Sequence, residues 1–382
     1  MKVAFVMPAK LNTGRGTENV VFSLIKYKPK DIKIVIFEPN FLDGERIKDT
    51  EVRNLIDDSK RVQMGITLKK HNDIIDFLVD RMISKSLLKE LKNCDLSEIN
   101  KFLPEIDLIY FFSNSLSIFF QRTNIPLIGS NHTDNLKLIF KHRFFLRNIY
   151  DDYFYRLYYK NLTGIHFFPK TGNNLYKMRY PSLLRDSFVL SIGVDTTFFY
   201  PMSKSRKEKI KVLFVAALDR NKGINTFIKL ARNLSKKLNI EFHVAGKGRF
   251  ANIIKAEKTI FFHQDLDNNQ LSELYRSCDI FLYPTKNDNF PAVVLQALSS
   301  GLYVMTSDYL RGVFDDFEGD YLEYIKPRYS CFKSQLIRTI HTRLNEKYSK
   351  TELYEKVKSE YDWSVISNRF FEKIKNIAEN YN

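Results

Sequence analysis

Short runs of large apolar residues recur along the chain, each closed by a glycine, a proline or a polar loop. Lys2 to Met7, Ile32 to Phe37, Asp107 to Phe112, Ile125 to Gly129 and Gly164 to Phe168 form one series. Lys211 to Ala216, Glu241 to Ala245, Thr259 to His263, Ile280 to Tyr283 and Leu302 to Thr306 form a second. Compact apolar runs without alternation predict strands covered on both faces, as in a parallel sheet. Helical patterns fall between them: Val20 to Tyr27, a helix from Ile224, Asn268 to Arg276 and Ala292 to Leu298. A terminal amphipathic helix follows Tyr361-Asp362-Trp363 and runs to Ile377 or a little beyond. Alternating strands and helices in two series predict two α/β domains. Residues 38–104 are polar and charged, with helical patterning around Ile74 to Leu91, and carry no assignable chemistry.

The stretch Ile280 to Gly301 (IFLYPTKNDNFPAVVLQALSSG) is the most informative. It reads as a buried strand, a polar loop and a short apolar helix. Pro284 stops the strand, and Pro291 suits a first helical position, because its φ is preset and it has no N–H to leave unpaired. The start of such a helix offers free N–H groups and a positive dipole end, which suit a phosphate. Asp288 precedes Gln296 by eight positions, so loop and helix can present two polar groups to one ligand. An amide inside an apolar helix needs a partner. The plainer reading is an ordinary buried helix after a strand.

Other candidate chemistry sits at the carboxyl ends of strands, where open α/β sheets place ligands. Gly14 and Gly16 follow the first strand and allow close backbone approach; a plain turn with Glu18 in the first helical turn is the alternative. His132 follows the strand Ile125 to Gly129. The loop LDRNKG after Lys211 to Ala216 carries Arg220 and Lys222, and Gly246-Lys247-Gly248 follows Glu241 to Ala245. Asp265-Leu266-Asp267 has the look of a metal-binding pair. It precedes a helix, so Asp267 is expected to be an N-cap. The seven histidines show no metal-ligand spacing.

Composition narrows the picture. The 382 residues suit two α/β domains, and a hydrophobic content of 44% is ample for two cores. The net charge of +16 points to an acidic partner: nucleotide phosphates, an anionic membrane surface or nucleic acid. No pattern of a nucleic-acid-binding motif appears, which argues against the last. Leu136 to Asn161 is dense in Phe, Tyr, Lys and Arg. It suits an anionic membrane surface or, alternatively, a core-facing aromatic stripe with a solvated basic face. Three cysteines without CxxC spacing argue for a reducing compartment, hence a cytoplasmic protein. No stretch approaches about 18 apolar residues, as a membrane span would require.

Several of these residues resemble the pattern of the retaining, nucleotide-sugar-dependent glycosyltransferases of the GT-B fold, family four ("group 1"). Pro284, Thr285, Asn289, Phe290, Pro291, Ala297, Leu298 and Gly301 fit the family's strand–loop–helix pattern. Asp288 and Gln296 stand where that family usually has two glutamates. Gly193-Val194-Asp195, Phe199 and Pro201 fit its inter-domain linker, with Ile192 in place of Asn; Lys222-Gly223 fits its Lys-Gly, while Ala217 occupies the usual Arg position and Arg220 is a nearby substitute. Gly16-Thr17-Glu18 is similar to part of its Gly-Gly-x-Glu loop.

The resemblance implies two facing Rossmann-like domains with the active site in the cleft. It implies an N-terminal acceptor-binding domain over 1–188, joined by the terminal helix at about 364–382, and a donor-binding domain over 189–363. The implied reaction moves a hexosyl unit from a UDP- or GDP-sugar to a glycan, lipid-linked glycan or lipid, with retention and without a metal or a further cofactor. Lys222 and the helix start near Ala292 would hold the diphosphate and Gln296 the ribose. Asp288, Asn289 and Phe290 would meet the sugar, Gly246 would pack near the nucleotide, and His132, Gly14 and Gly16 would lie across the cleft. The two departures from the glutamate pair leave a catalytically weakened, binding-only relative as the alternative.

Overall fold

The computed structural model describes residues 1–7, 16–40, 60–67, 97–120, 123–131, 156–181, 186–202, 209–286, 288–342 and 349–381. Gly14, His132, the helical pattern at 74–91 and most of the segment 136–161 lie outside them. The chain divides into two units, Met1–Ser191 with Ser367–Asn382, and Ile192–Ile366.

The first unit is a parallel sheet. Its strands are β1 (Lys2–Val6), β2 (Lys33–Asn40), β3 (Lys60–Thr67), β4 (Leu108–Phe111), β5 (Leu127–Asn131), β6 (Gly164–Phe167) and β7 (Asp186–Val189). They lie in the order β3-β2-β1-β4-β5-β6-β7. Helices α1 (Gly16–Lys26), α2 (Ser97–Asn100) and α3 (Lys170–Arg179) connect parts of it. β4, β5 and β6 are buried at every position, as their apolar runs require. Phe370 and Phe371 of the terminal helix pack on Phe5 of β1, and Phe370 meets Tyr110 of β4 edge to face at 5.0 Å. At the described end of the segment 136–161, Tyr158 and Tyr159 are buried in a separate cluster with Phe37, Phe111 and Tyr176.

One buried histidine ties the sheet's last strand in place. His166 of β6 bonds the Leu190 carbonyl through Nε2 and the Tyr110 hydroxyl through Nδ1, both at 2.7 Å. A carbonyl only accepts, so Nε2 carries the proton and Tyr110 donates to Nδ1. Burial pushes the His166 pKa down to about 4, so the ring is neutral near pH 7.

The second unit has strands β8 (Ile210–Val215), β9 (Ile240–Ala245), β10 (Phe261–His263), β11 (Ile280–Tyr283), β12 (Tyr303–Ser307) and β13 (Leu322–Ile325). Their order is β10-β9-β8-β11-β12-β13, again with parallel pairing throughout. The helices are α4 (Ile224–Leu234), α5 (Ala251–Lys255), α6 (Asn268–Ser277), α7 (Ala292–Ser299), α8 (Tyr329–His341) and α9 (Lys350–Tyr361). The terminal helix, α10 (Trp363–Glu379), starts in this unit and belongs to the first from Ser367 on.

Three findings depart from the apolar pattern or sharpen it. β3, β7 and β13 have no counterpart among the apolar runs. Each is an edge strand in its sheet, covered less completely than a central strand, so its sequence (KRVQMGIT, DSFV, LEYI) lacks a solid apolar run. Pro291 is the N-cap of α7 with ψ 113°, one position earlier than expected, and the helix begins at Ala292. Asp267 is an N-cap as expected. Its side chain accepts from the Gln270 N–H while Gln270 reaches back, a complete capping box.

The segment after the first unit is stitched to the start of α10. Val194 N–H donates to the Tyr361 carbonyl at 2.8 Å, and Trp363 N–H donates to the Val194 carbonyl at 3.1 Å. A Cβ on Gly193 would sit 2.6 Å from the Trp363 indole, so only glycine fits there. Asp362 accepts from the Thr196 hydroxyl at 2.6 Å and the Ser364 hydroxyl at 2.5 Å. Burial pushes the Asp362 pKa up, but the bonds from Ser364 and Thr196 outweigh it and the net shift is downward.

Asp362→Asn keeps the shape and removes the charge that these donors serve. It is expected to lower the unfolding free energy by about 1–3 kcal/mol at neutral pH. A depressed carboxyl pKa stabilises above its unfolded value of about 4 and ceases to do so as pH falls through the folded value. Urea unfolding at pH 7 and pH 3 should therefore show the gap between wild type and variant at the higher pH and a narrower gap at the lower.

Candidate functional site

The strand order of the second unit reverses at one place. From β8 the chain works outward through β9 to β10; from β11 it works outward through β12 to β13. The loops leaving the carboxyl ends of β8 and β11 therefore start side by side. Such switch points are where open α/β sheets bind ligands. The β8 loop carries Arg220 and Lys222, and the β11 loop carries Asp288 and Asn289.

The β8 loop is shaped by its own residues. Asp219 Oδ1 accepts the N–H groups of Asn221 at 2.7 Å and Lys222 at 3.0 Å. Gly223 then turns left-handed, with φ 87°, to become the N-cap of α4. It lies so close to the β11 loop that an added Cβ would sit 2.0 Å from the Pro284 carbonyl oxygen. The two loops are also bonded to each other. The Asn221 carbonyl accepts from the Lys286 N–H at 2.6 Å and from the Thr285 hydroxyl at 3.2 Å. On the far side Thr306 and Ser307 of β12 donate to the Tyr283 and Thr285 carbonyls.

This framework brings Lys222 to Asp288. Lys222 Nζ donates to Asp288 Oδ2 at 2.6 Å, and the Tyr283 hydroxyl donates to the same oxygen at 2.5 Å. Oδ1 accepts the Asn289 N–H at 2.9 Å. Burial, reinforced by the Asp288 charge, pushes the Tyr283 pKa well up, so the phenol stays protonated and donates. The ion pair is part-buried, with 26% and 19% of the two side chains exposed. It is shielded more than a surface pair and remains accessible.

A third loop joins the edge. Gly246 and Gly248 have φ of 143° and 146°, and a Cβ on Gly246 would lie 1.9 Å from the Ala216 carbonyl oxygen. Leu218 N–H donates to the Lys247 carbonyl at 2.8 Å. Glycine is thus required by the loop's contact with its neighbour. Lys247 pairs with Asp265 at 2.6 Å. Helices α4 and α7 both begin at this edge, and neither has a side-chain cap. Their first N–H groups have no intrahelical acceptor and form two positive dipole ends.

The remaining predicted residues fall as follows. Gln296 is half-buried on α7, and its carbonyl oxygen accepts from the Tyr275 hydroxyl at 3.1 Å. Tyr275 is fully buried on α6, and burial pushes its pKa well up. The Phe290 ring packs on Phe314 at 4.9 Å, and Arg220 is exposed in the β8 loop. Gly16 opens α1 in the first unit, where a Cβ would meet nothing within 4 Å. The residue patterns do not single out Tyr283, Tyr275 or Asp219. Tyr283 and Tyr275 look like core tyrosines in sequence, and only their hydroxyl partners distinguish them. Among the described residues no three His, Cys, Asp or Glu side chains are grouped to hold a metal ion.

The chain is similar to known proteins. Residues 197–357 match the model of the family described as glycosyl transferases group 1. The match lies within the second unit. The chain is similar to the gpi3 subunit of phosphatidylinositol N-acetylglucosaminyltransferase of Schizosaccharomyces pombe, with 23% identity over 193 residues. That match covers 48% of this chain and 42% of the yeast protein. The chain is also 26% identical over 188 residues to the putative teichuronic acid biosynthesis glycosyltransferase TuaC of Bacillus subtilis, covering 46% of this chain and 47% of TuaC. The chain thus matches just under half the length of either relative.

The whole chain, two parallel-sheet α/β units, has the GT-B glycosyltransferase fold. Sucrose-phosphate synthase from Thermosynechococcus elongatus aligns over all of both chains with a TM-score of 0.74 and 12% identity. Anabaena HepE, in complex with UDP, aligns over 98% of this chain and 100% of its own with a TM-score of 0.68 and 13% identity. No helix among the described residues is long and apolar enough to cross a membrane.

Gly223→Ala tests the framework. An alanine there must adopt a left-handed backbone and displace the Pro284 carbonyl. It is expected to lower the unfolding free energy by about 2–4 kcal/mol. Asn225→Ala, on the exposed face of α4, serves as the control and should alter stability by less than about 0.5 kcal/mol. Thermal unfolding of the two variants beside wild type checks both values.

Proposed function

We propose that the chain is a glycosyltransferase that moves a hexosyl unit from a nucleoside diphosphate sugar to a glycan, lipid-linked glycan or lipid acceptor. The observation that carries the reading is the meeting of Lys222, Asp288 and two uncapped helix starts at the switch point of a group 1 domain. A diphosphate is a compact double anion, and this edge supplies a lysine and free N–H groups to match it.

In this reading Lys222 and the N-termini of α4 and α7 hold the diphosphate. As the bond between the anomeric carbon and the departing oxygen breaks, negative charge grows on the diphosphate and positive charge on the sugar. Fixed donors stabilise the former without reorganising. Asp288 and Asn289 orient the sugar hydroxyls, and the Gln296 amide, held by Tyr275, meets the ribose. Transfer retains the anomeric configuration and draws its rate from positioning and electrostatics, with no divalent metal required. UDP-sugars are the first donors to try, because HepE was solved with UDP and with UDP-glucose. A lipid acceptor is supported by the phosphatidylinositol acceptor in the name of the yeast relative.

The test is a transfer assay with radiolabelled UDP-sugars and lipid-linked or free glycan acceptors. Lys222→Ala is expected to lower kcat/KM about 100- to 1000-fold, as the loss of a charge-stabilising donor does elsewhere. EDTA is expected to leave the wild-type rate unchanged. Equal background from wild type and variant would instead remove the enzyme reading.

A further inference from the structure

The Lys222–Asp288 pair sets two requirements against each other. The proposed function needs Lys222 on a diphosphate and Asp288 on a sugar hydroxyl, yet the two side chains are paired with each other. Asp288 Oδ2 already accepts from both Lys222 Nζ and Tyr283 Oη, and Oδ1 accepts from the Asn289 N–H. The carboxylate thus takes the position on Lys222 that another anion would need. We propose that Asp288 is a built-in stand-in for the diphosphate, a latch that competes with it for Lys222 and is released to the sugar only when a diphosphate takes the lysine. The inference rests on the reading of this edge as a diphosphate site.

Three features support the latch. First, the β8 and β11 loops are locked together by bonds at the Asn221 carbonyl, so the pair is held by a rigid frame and does not depend on flexible loops meeting. Second, Tyr283 is buried at the end of β11 and holds Asp288 from the protein side. Once the lysine leaves, the carboxylate keeps two donors, the Tyr283 hydroxyl and the Asn289 N–H, and regains one acceptor direction on Oδ2. Third, the pair is only part-buried, so an incoming anion can reach the ammonium. Lysine suits this exchange. Its ammonium is a point charge on a flexible stem and can swing between two acceptors, which a bidentate arginine would do less readily.

The latch makes recognition sequential. A nucleoside monophosphate offers less charge to compete with a carboxylate already in place. A diphosphate displaces Asp288, and the freed carboxylate then adds affinity for an attached sugar. Donor sugar and free diphosphate are therefore discriminated by a residue that opposes the diphosphate and favours the attached sugar.

Isothermal titration with inorganic pyrophosphate, UDP and UDP-glucose on wild type, Asp288→Asn, Lys222→Ala and the double variant tests this. Asparagine keeps the shape and can still accept the Asn289 N–H, but it removes the competing charge. Asp288→Asn is expected to bind pyrophosphate and UDP about fivefold tighter, the scale of one part-shielded ion pair. It is expected to lose the preference for UDP-glucose over UDP. In the Lys222→Ala background the same substitution is expected to give no gain. Equal or weaker pyrophosphate binding by Asp288→Asn, with wild type binding normally, overturns the latch and leaves the diphosphate site standing. A gain that persists without Lys222 also overturns the latch, since the effect would then be general charge. Absence of diphosphate binding by every form overturns the site reading, and the latch falls with it.

Discussion

The candidate site depends on one close approach. The turn ending at Gly223 presses against the Pro284 carbonyl at a distance that admits no Cβ. Because of that contact a lysine and an aspartate 66 positions apart reach hydrogen-bond distance. β8 and β11 are adjacent in a parallel sheet, so both loops emerge on the same edge. The left-handed glycine brings their backbones together, and the Asn221 carbonyl locks them with two bonds. Everything proposed for the site follows from the rigidity of this frame, since electrostatic stabilisation works only when the donors are already in place.

The same edge combines paired charges with fixed backbone dipoles. Helices α4 and α7 start there without side-chain caps, and the Asp288 carboxylate is held by the buried Tyr283. Asp288 and Gln296 stand where the resembled pattern has two glutamates. Asp288 is engaged with Lys222 and Tyr283, and Gln296 with Tyr275. Each departure has a tyrosine partner that fixes its orientation. A shorter acid and a neutral amide thus become defined hydrogen-bonding groups.

The abundant aromatic residues have a largely structural use in the described parts. Phe5, Tyr110, His166, Phe370 and Phe371 pack as one cluster between the first sheet and the terminal helix. Tyr159, Tyr176 and Tyr180 form another, with the Tyr159 and Tyr176 hydroxyls bonded at 2.6 Å. The chain leaves the first unit beside the His166–Leu190 bond and is then tied at Gly193–Thr196 to the start of the helix that returns to it. Entry and exit of the second unit are therefore fastened to one another by backbone bonds, a glycine contact and a charged acceptor.

Local patterns in the chain were enough for several conclusions. Buried central strands need apolar residues on both faces, so β1, β4, β8, β9 and β11 were legible as solid runs. Proline and glycine punctuation marked the loops, and Asp267 with Gln270 marked a capped helix. The resemblance of Lys222-Gly223 and of Pro284 to Gly301 pointed to the family. The edge strands β3, β7 and β13 were not legible, because partial cover leaves no distinct apolar signature. Nor were the roles of Tyr283 and Tyr275, whose side chains look like any core tyrosine until a hydroxyl finds its acceptor. Above all, the sequence supplied a lysine and an aspartate on separate loops. Only the strand order and the backbone contact at Gly223 made them partners, because an ion pair is fixed by distance in space and the chain alone records only distance along itself.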